Sequence, residues 1–155
     1  MTGMPERIPA ADCLVCGEHR GAISVPGGFL VENDQVIAFH APPLPENPEP
    51  YLGHLLVTTR RHVPGLGQLT PQEGAALGVA LTRLSAALES CGASRVYLAA
   101  VGHHQPHVHV HLVPRYPETP VDVAWHQVDE WAGARRGGAA EIEQLVADLS
   151  ERMPA

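Results

Sequence analysis

The chain has 155 residues, 45% of them hydrophobic and 17% charged, and carries a formal net charge of −7 at pH 7. That length suits one domain whose core needs no staple, without the run of about 20 apolar residues that would cross a bilayer. So acidic a surface also argues against binding nucleic acid through its phosphates. All ten basic residues are arginine, which excludes Schiff-base chemistry, a Walker-type phosphate loop and a protein kinase, each of which uses a lysine amine.

The opening residues MTGMPERIPAAD lack the basic-then-apolar layout of a secretory signal, and Cys13-x-x-Cys16 with a distant Cys91 makes no disulfide framework. A soluble protein of the reducing cytoplasm is expected. Cys13, Cys16 and Pro26-Gly27-Gly28 mark a loop-rich knuckle. Phe29-Leu30-Val31 and Val36-Ile37-Ala38-Phe39 flank four polar residues as a hairpin. Residues 41–50 hold five prolines and read as an exposed loop. Residues 52–59 are expected to form a strand, and Thr70-Pro71-Gln72-Glu73 is a capping box that starts a helix with Leu77, Leu81, Leu84 and Leu88 on one face and a stop at Gly92. Strands follow at 95–101 and 107–113, joined by a turn. Beyond Pro117 no period is clear until Ile142, Leu145, Val146, Leu149 and Met153, which fit a short amphipathic helix. The pattern predicts a single α+β domain over 1–155 with an antiparallel sheet, one long helix and a short C-terminal one, its core at about 12–116 and an extension at 117–155.

The strand at 107–113 carries the strongest chemical signal. His107, His109 and His111 alternate with Val108, Val110 and Leu112, so the three imidazoles are expected on one face, about 6.5 Å apart. Three readings are open: a polar solvent face, a three-histidine metal centre, or a nucleophilic imidazole between two supporting ones. The metal centre meets a problem of reach, because a histidine at i+4 stands too far from the first to complete a compact site unaided. The Cys13-Leu14-Val15-Cys16 pair is equally open, as incidental thiols, a redox pair or half of a zinc site.

The run Pro106-His107-Val108-His109-Val110-His111-Leu112-Val113-Pro114-Arg115 resembles the His-x-His-x-His motif of the histidine triad (HIT) superfamily of nucleotide hydrolases and transferases. Gly53-His54-Leu55-Leu56-Val57, then Arg61-His62-Val63 and the capped helix at Thr70, occur in the family's order. The resemblance spans roughly residues 12–116. It implies a HIT-like α+β sheet, a homodimer, and attack on the α-phosphorus of a nucleoside phosphoanhydride or phosphoramidate, through a nucleotidyl-histidine that water hydrolyses. Carried over by motif position, His109 is the nucleophile, His111 donates to the phosphate, and His54 stands beside them. A third histidine in the motif implies hydrolysis, since the family's uridylyltransferases have glutamine there. Nucleotidyl transfer, and a zinc-binding regulatory module without turnover, are the alternatives. In many bacterial-type members a Cys-x-x-Cys pair binds structural zinc with two histidines, which here implies Cys13, Cys16, His62 and His107.

Two features depart from the family. Ala38-Phe39-His40-Ala41-Pro42 lacks the acid or asparagine that takes ribose hydroxyls, with Glu46 or Asn47 as substitutes. The turn Gly102-His103-His104-Gln105 lacks the Gly-Gln-Ser/Thr run that binds phosphate, leaving Gln105, His103, Arg115 and His107 as substrate-binding candidates. In the extension, Trp125 or Trp131 is a candidate contact for the base, and Arg135 or Arg136 for a distal phosphate.

Overall fold

The computed structural model describes residues 9–155; residues 1–8, on which much of the expectation about an export signal rests, lie outside the described residues. Five strands form one sheet: β1 (Val31–Glu32), β2 (Val36–His40), β3 (Leu55–Thr59), β4 (Arg95–Ala99) and β5 (His109–Arg115). Their order is β1-β2-β3-β5-β4 and every neighbouring pair is antiparallel. The helices are α1 (Leu14–His19), α2 (Pro71–Ser90) and α3 (Ala139–Arg152). The α+β architecture is the one expected from the sequence.

Local chemistry accounts for the elements. In the β1–β2 turn the Asn33 Oδ1 accepts from the amides of Gln35 and Val36, both at 2.9 Å, an Asx turn that reverses the chain. At the start of α2 the Thr70 hydroxyl accepts from the Glu73 amide at 3.1 Å, and Glu73 returns the bond to the Thr70 amide at 2.9 Å. Arg61 then clamps the same carboxylate with two bonds of 2.8 Å, which ties the loop leaving β3 to the helix and holds the Glu73 carboxyl down at about 2. Gly92, at φ +106°, ends the helix in a conformation that suits glycine.

The sheet has two unlike faces. Val36, Ala38, Leu55, Val57, Val110 and Leu112 pack against Leu77, Leu84 and Leu88 of α2 and Ile142, Val146 and Leu149 of α3. Ile37, Phe39 and Leu56 of the opposite face gather a smaller apolar cluster with Val25, Phe29 and Ala41. The register aligns Phe39, Leu56, His111 and Ala99 in one row, and Ile37, Thr58 and His109 in the next. The motif histidines of β5 therefore stand on the face that carries no long helix.

Three elements differ from the sequence expectation. α1 forms where a loop was expected; six residues are too few to show a helical period. β3 starts at Leu55 and not at 52, because Gly53 turns the chain at φ +94°. A Cβ there would lie 2.5 Å from the Tyr116 hydroxyl oxygen and 2.7 Å from Pro114 Cγ. β5 starts at His109, so His107 is not a strand residue: the His107 amide donates to the Gln105 carbonyl and the Val108 amide to the Val63 carbonyl, outside the ladder.

Candidate active site and metal centre

The three alternating histidines separate into two sites. His107, fully buried ahead of β5, joins Cys13, Cys16 and His62. Cys13 sits at the N-terminal cap of α1 and Cys16 a turn later, so one short helix delivers both thiols, while His62 arrives from the loop after β3. The four ligand atoms lie within 4.8 Å of one another. His107 Nε2 donates to the Thr59 carbonyl at 2.6 Å, which leaves its Nδ1 as a lone pair facing His62 Nδ1 at 3.3 Å and the Cys13 and Cys16 sulfurs at 3.6 and 3.5 Å; Cys16 Sγ is 3.4 Å from His62 Nδ1. A tetrahedral ion with metal–sulfur bonds of about 2.3 Å and metal–nitrogen bonds of about 2.0–2.1 Å has N···N edges of about 3.3 Å and S···N edges of about 3.5 Å. The donor set therefore fits a closed Cys2His2 centre, with the Thr59 carbonyl as the outer partner that fixes the tautomer of His107. Burial, then the neighbouring Cys13 thiol, pushes the Cys16 thiol up to about 11, so Cys16 would need a cation beside it to become a thiolate near neutral pH.

His19, at the end of α1, was not singled out by the sequence. Its ring stands edge-on to His107, 5.4 Å between centroids, and its Nε2 donates at 2.7 Å to the Thr58 hydroxyl, which itself donates to the Ile37 carbonyl. Burial, then the facing His107 and Arg60, pulls His19 down to about 4 and keeps it neutral. The only signal was its position three residues after Cys16 on a helix too short to recognise.

The second site begins two residues after His107. His109 Nδ1 donates to the His107 carbonyl at 2.6 Å, which fixes one tautomer and leaves Nε2 as the lone pair. The His111 ring lies 5.0 Å from that of His109, and its Nδ1 is 2.9 Å from His54 Nε2. Burial, then the charges of the neighbouring histidines, holds His54 at about 3; burial, then His109, holds His111 at about 4. Both rings are neutral at pH 7, so one proton lies between them. The turn that leads into His54 is held by His40: the Gly53 amide donates to His40 Nε2 at 2.9 Å, and His40 Nδ1 donates to the Ala41 carbonyl at 2.8 Å. His40 is buried and thus supports the turn at Gly53.

Two cavities open at these rings. One of about 150 Å³ lies at His109 between Pro64, Gly65 and Leu66 and residues 100–102. The other, about 240 Å³, lies at His54 and His111, walled by Tyr97 and by Trp125, His126 and Asp129 of the extension.

The remaining candidates fall elsewhere. Arg115 lies six residues beyond His109, about 20 Å along the strand, and donates to the carbonyls of Pro120 and Val123. It braces the extension and stands away from the histidines. His107 has both nitrogens committed, one to Thr59 and one to the cysteine cluster, and leaves none for substrate. Gln105 accepts from the Leu14 amide at 3.3 Å and so caps α1. His103 and His104 are exposed turn residues stacked edge-on on each other. Arg135 pairs with Glu118 and lies over the Tyr116 ring; Arg136 donates to the Glu49 and Asp129 carbonyls. Trp125 reaches the histidine cavity, Trp131 does not line it, and Glu46 and Asn47 are exposed in the proline-rich loop.

A five-stranded antiparallel sheet that carries a histidine stripe on one face and a capped helix on the other defines a histidine triad protein. The model of the HIT domain matches residues 24–118, more than half of the chain, and the chain belongs to the HIT family. Its fold is similar to that of a zinc-bound histidine triad family protein from Mycobacterium smegmatis (19% identity, 92% of this chain and 96% of that chain, TM-score 0.67). It is also similar to a hypothetical histidine triad nucleotide-binding protein from Sulfolobus tokodaii (18%, 90% and 91%, TM-score 0.66) and to a hypothetical protein from Leishmania major (27%, 79% and 92%, TM-score 0.56). No curated protein matches the chain significantly.

Proposed function

We propose that the chain is a nucleotide hydrolase that cleaves a nucleoside phosphoanhydride or phosphoramidate at the α-phosphorus, with His109 as nucleophile. The observation that carries this reading is the 2.6 Å bond from His109 Nδ1 to the His107 carbonyl: it presents the Nε2 lone pair and steadies the cation that forms when this nitrogen bonds to phosphorus. His111 serves as the donor to a non-bridging phosphate oxygen. His54 Nε2–H donates to His111 Nδ1, which makes His111 the Nε2–H tautomer and aims a proton where negative charge gathers. Water then attacks phosphorus, the P–N bond to His109 breaks, and the ring returns to neutrality.

Cys13, Cys16, His62 and His107 would hold a structural zinc, in keeping with the zinc-bound M. smegmatis relative. When bound, zinc closes a four-coordinate site that ties α1 to the start of β5 and leaves no open position for catalysis. His107 joins the two sites, since its ring faces the cluster and its carbonyl anchors His109. The chain is further proposed to act as a homodimer in the cytoplasm; light scattering giving the mass of one chain would overturn the dimer. Among the described residues no helix is long and apolar enough to cross a membrane.

His109→Ala is expected to lower hydrolysis of adenosine phosphoramidate and dinucleoside polyphosphates by about four orders of magnitude, with the metal content unchanged. Turnover equal to wild type would remove the nucleophile assignment. Metal analysis should find one equivalent of zinc per chain, lost in Cys13→Ser together with several degrees of Tm; a metal-free wild type with an unaltered Tm would remove the zinc site.

A further inference from the structure

A cleft of about 610 Å³ opens at the cysteine cluster, and neither the hydrolysis nor the metal ligation proposed above uses it. Cys16 stands in its wall together with Arg20 and Arg60, whereas Cys13 is only 2% exposed and does not line it. We infer that Cys16 is a modification site for small disulfides that carry carboxylates: the exchange closes a Cys13–Cys16 disulfide, dismantles the metal cluster and slackens the anchor of His109. This rests on the zinc and hydrolase readings above and adds a regulation to them.

The two cysteines are placed for consecutive roles. Their sulfurs lie within 4.8 Å of each other. Cys13 caps α1 and its carbonyl accepts from the Gly17 amide, so a single helical turn separates the pair. That turn puts the Cα atoms about 5 Å apart, within the range of about 4.4–6.8 Å that a disulfide bridges. Cys16, open to the cleft, is the attacking sulfur, and the buried Cys13 is the resolving one. Charge selects the reagent. Arg20 donates to the Ala10 and Ala11 carbonyls, which leave its charge uncancelled, and Arg60 pairs with the exposed Glu32 at 3.4 Å. Among the described residues no carboxylate lines the cleft, so it draws anions.

The exchange balances without a further reactant. Cys16 Sγ bonds to one sulfur of the reagent as its S–S bond breaks, and the first thiolate leaves with the electron pair. Cys13 Sγ then bonds to Cys16 Sγ and expels the second thiolate. The two cysteine thiolates lose two electrons, the reagent gains them, and no proton is exchanged. The oxidised pair offers no thiolate, which leaves His62 and His107 as two donors of the four. His107 lies ahead of the β5 ladder, so the cluster is part of what holds it, and its carbonyl is the acceptor that fixes His109.

The test takes the full-length, zinc-loaded protein and its Cys91→Ser variant, in which Cys13 and Cys16 are the remaining cysteines. Glutathione disulfide should release zinc to a chromophoric chelator, over a time in which the chelator alone releases none, and leave a Cys13–Cys16 disulfide mapped by peptide mass spectrometry, equally in both proteins. Hydrolysis of adenosine phosphoramidate should fall about tenfold and return with dithiothreitol and zinc. At low salt the preference for glutathione disulfide over neutral 2-hydroxyethyl disulfide should be about tenfold larger in wild type than in Arg20→Gln/Arg60→Gln. Zinc retained against glutathione disulfide overturns the inference and leaves the zinc reading standing, whereas a protein that binds no zinc at the outset removes that reading and the inference together. Zinc release with unchanged hydrolysis overturns the regulation, and an equal preference in the arginine variant overturns the selection by charge. If the zinc-loaded protein hydrolyses no substrate, the hydrolase reading falls, and zinc release with the mapped disulfide still decides the modification site.

Discussion

At the scale of residues, the candidate site is a chain of fixed tautomers. The Thr59 carbonyl sets His107, the His107 carbonyl sets His109, and the His54–His111 contact shares one proton between two neutral rings. This predicts that His54 acts through His111 and not on substrate. His54→Ala should lower kcat about 10²-fold with little change in KM. His54→Gln, whose amide can still donate to His111 Nδ1, should recover most of the loss. If Ala and Gln are equally damaging, His54 does not set the tautomer. Sequence alone could rank these histidines by motif but not by bonding, because alternation on a strand makes them look equivalent. What separates them is where the ladder starts: β5 begins at His109, so His107 turns away into the cysteine cluster.

At the scale of elements, the parts that were legible are those with strong local codes. The capping box at Thr70, the glycine stop at Gly92 and the β1–β2 hairpin appear where their residues place them, and β5 alternates as its residues do but from His109 onwards. The parts that were not legible depend on contacts distant in sequence. α1 is held by Cys13, Cys16 and a cap from Gln105 some ninety residues later, and the extension is braced by Arg115 and Arg135 through partners that no period reveals. The turn at Gly53 is such a case, since Tyr116 and Pro114 occupy the space that a Cβ there would need. Gly53→Ala should therefore destabilise the fold by about 2 kcal/mol or more. It should also reduce activity at temperatures where the protein remains folded, because the same residue donates to His40 and leads into His54. Urea denaturation beside kcat on the folded variant checks both; a stability within about 0.5 kcal/mol of wild type would contradict the strain argument.

At the scale of the molecule, burying neutral histidines links catalysis to stability through pH. His54 and His111 have folded-state pKa values near 3 and 4, below the ordinary histidine value of about 6.5. Above that value neither state binds the proton and the two rings have no pH-dependent effect. As pH falls below it, the unfolded chain takes up protons that the folded chain refuses, so stability declines until the folded pKa values are reached. Each such ring contributes a slope of at most about 1.4 kcal/mol per pH unit between roughly pH 6 and 4. Burial also holds His19, His40 and His107 below the ordinary histidine value, so the wild-type slope alone does not isolate the pair. Glutamine cannot charge, and His54→Gln keeps the contact to His111. Unfolding free energies measured in urea at pH 7, 6 and 5 should therefore fall less steeply for His54→Gln than for wild type. Parallel curves would mean that His54 takes up its proton as readily in the folded chain as in the unfolded one, and that the buried neutral pair does not set the acid limit of the fold.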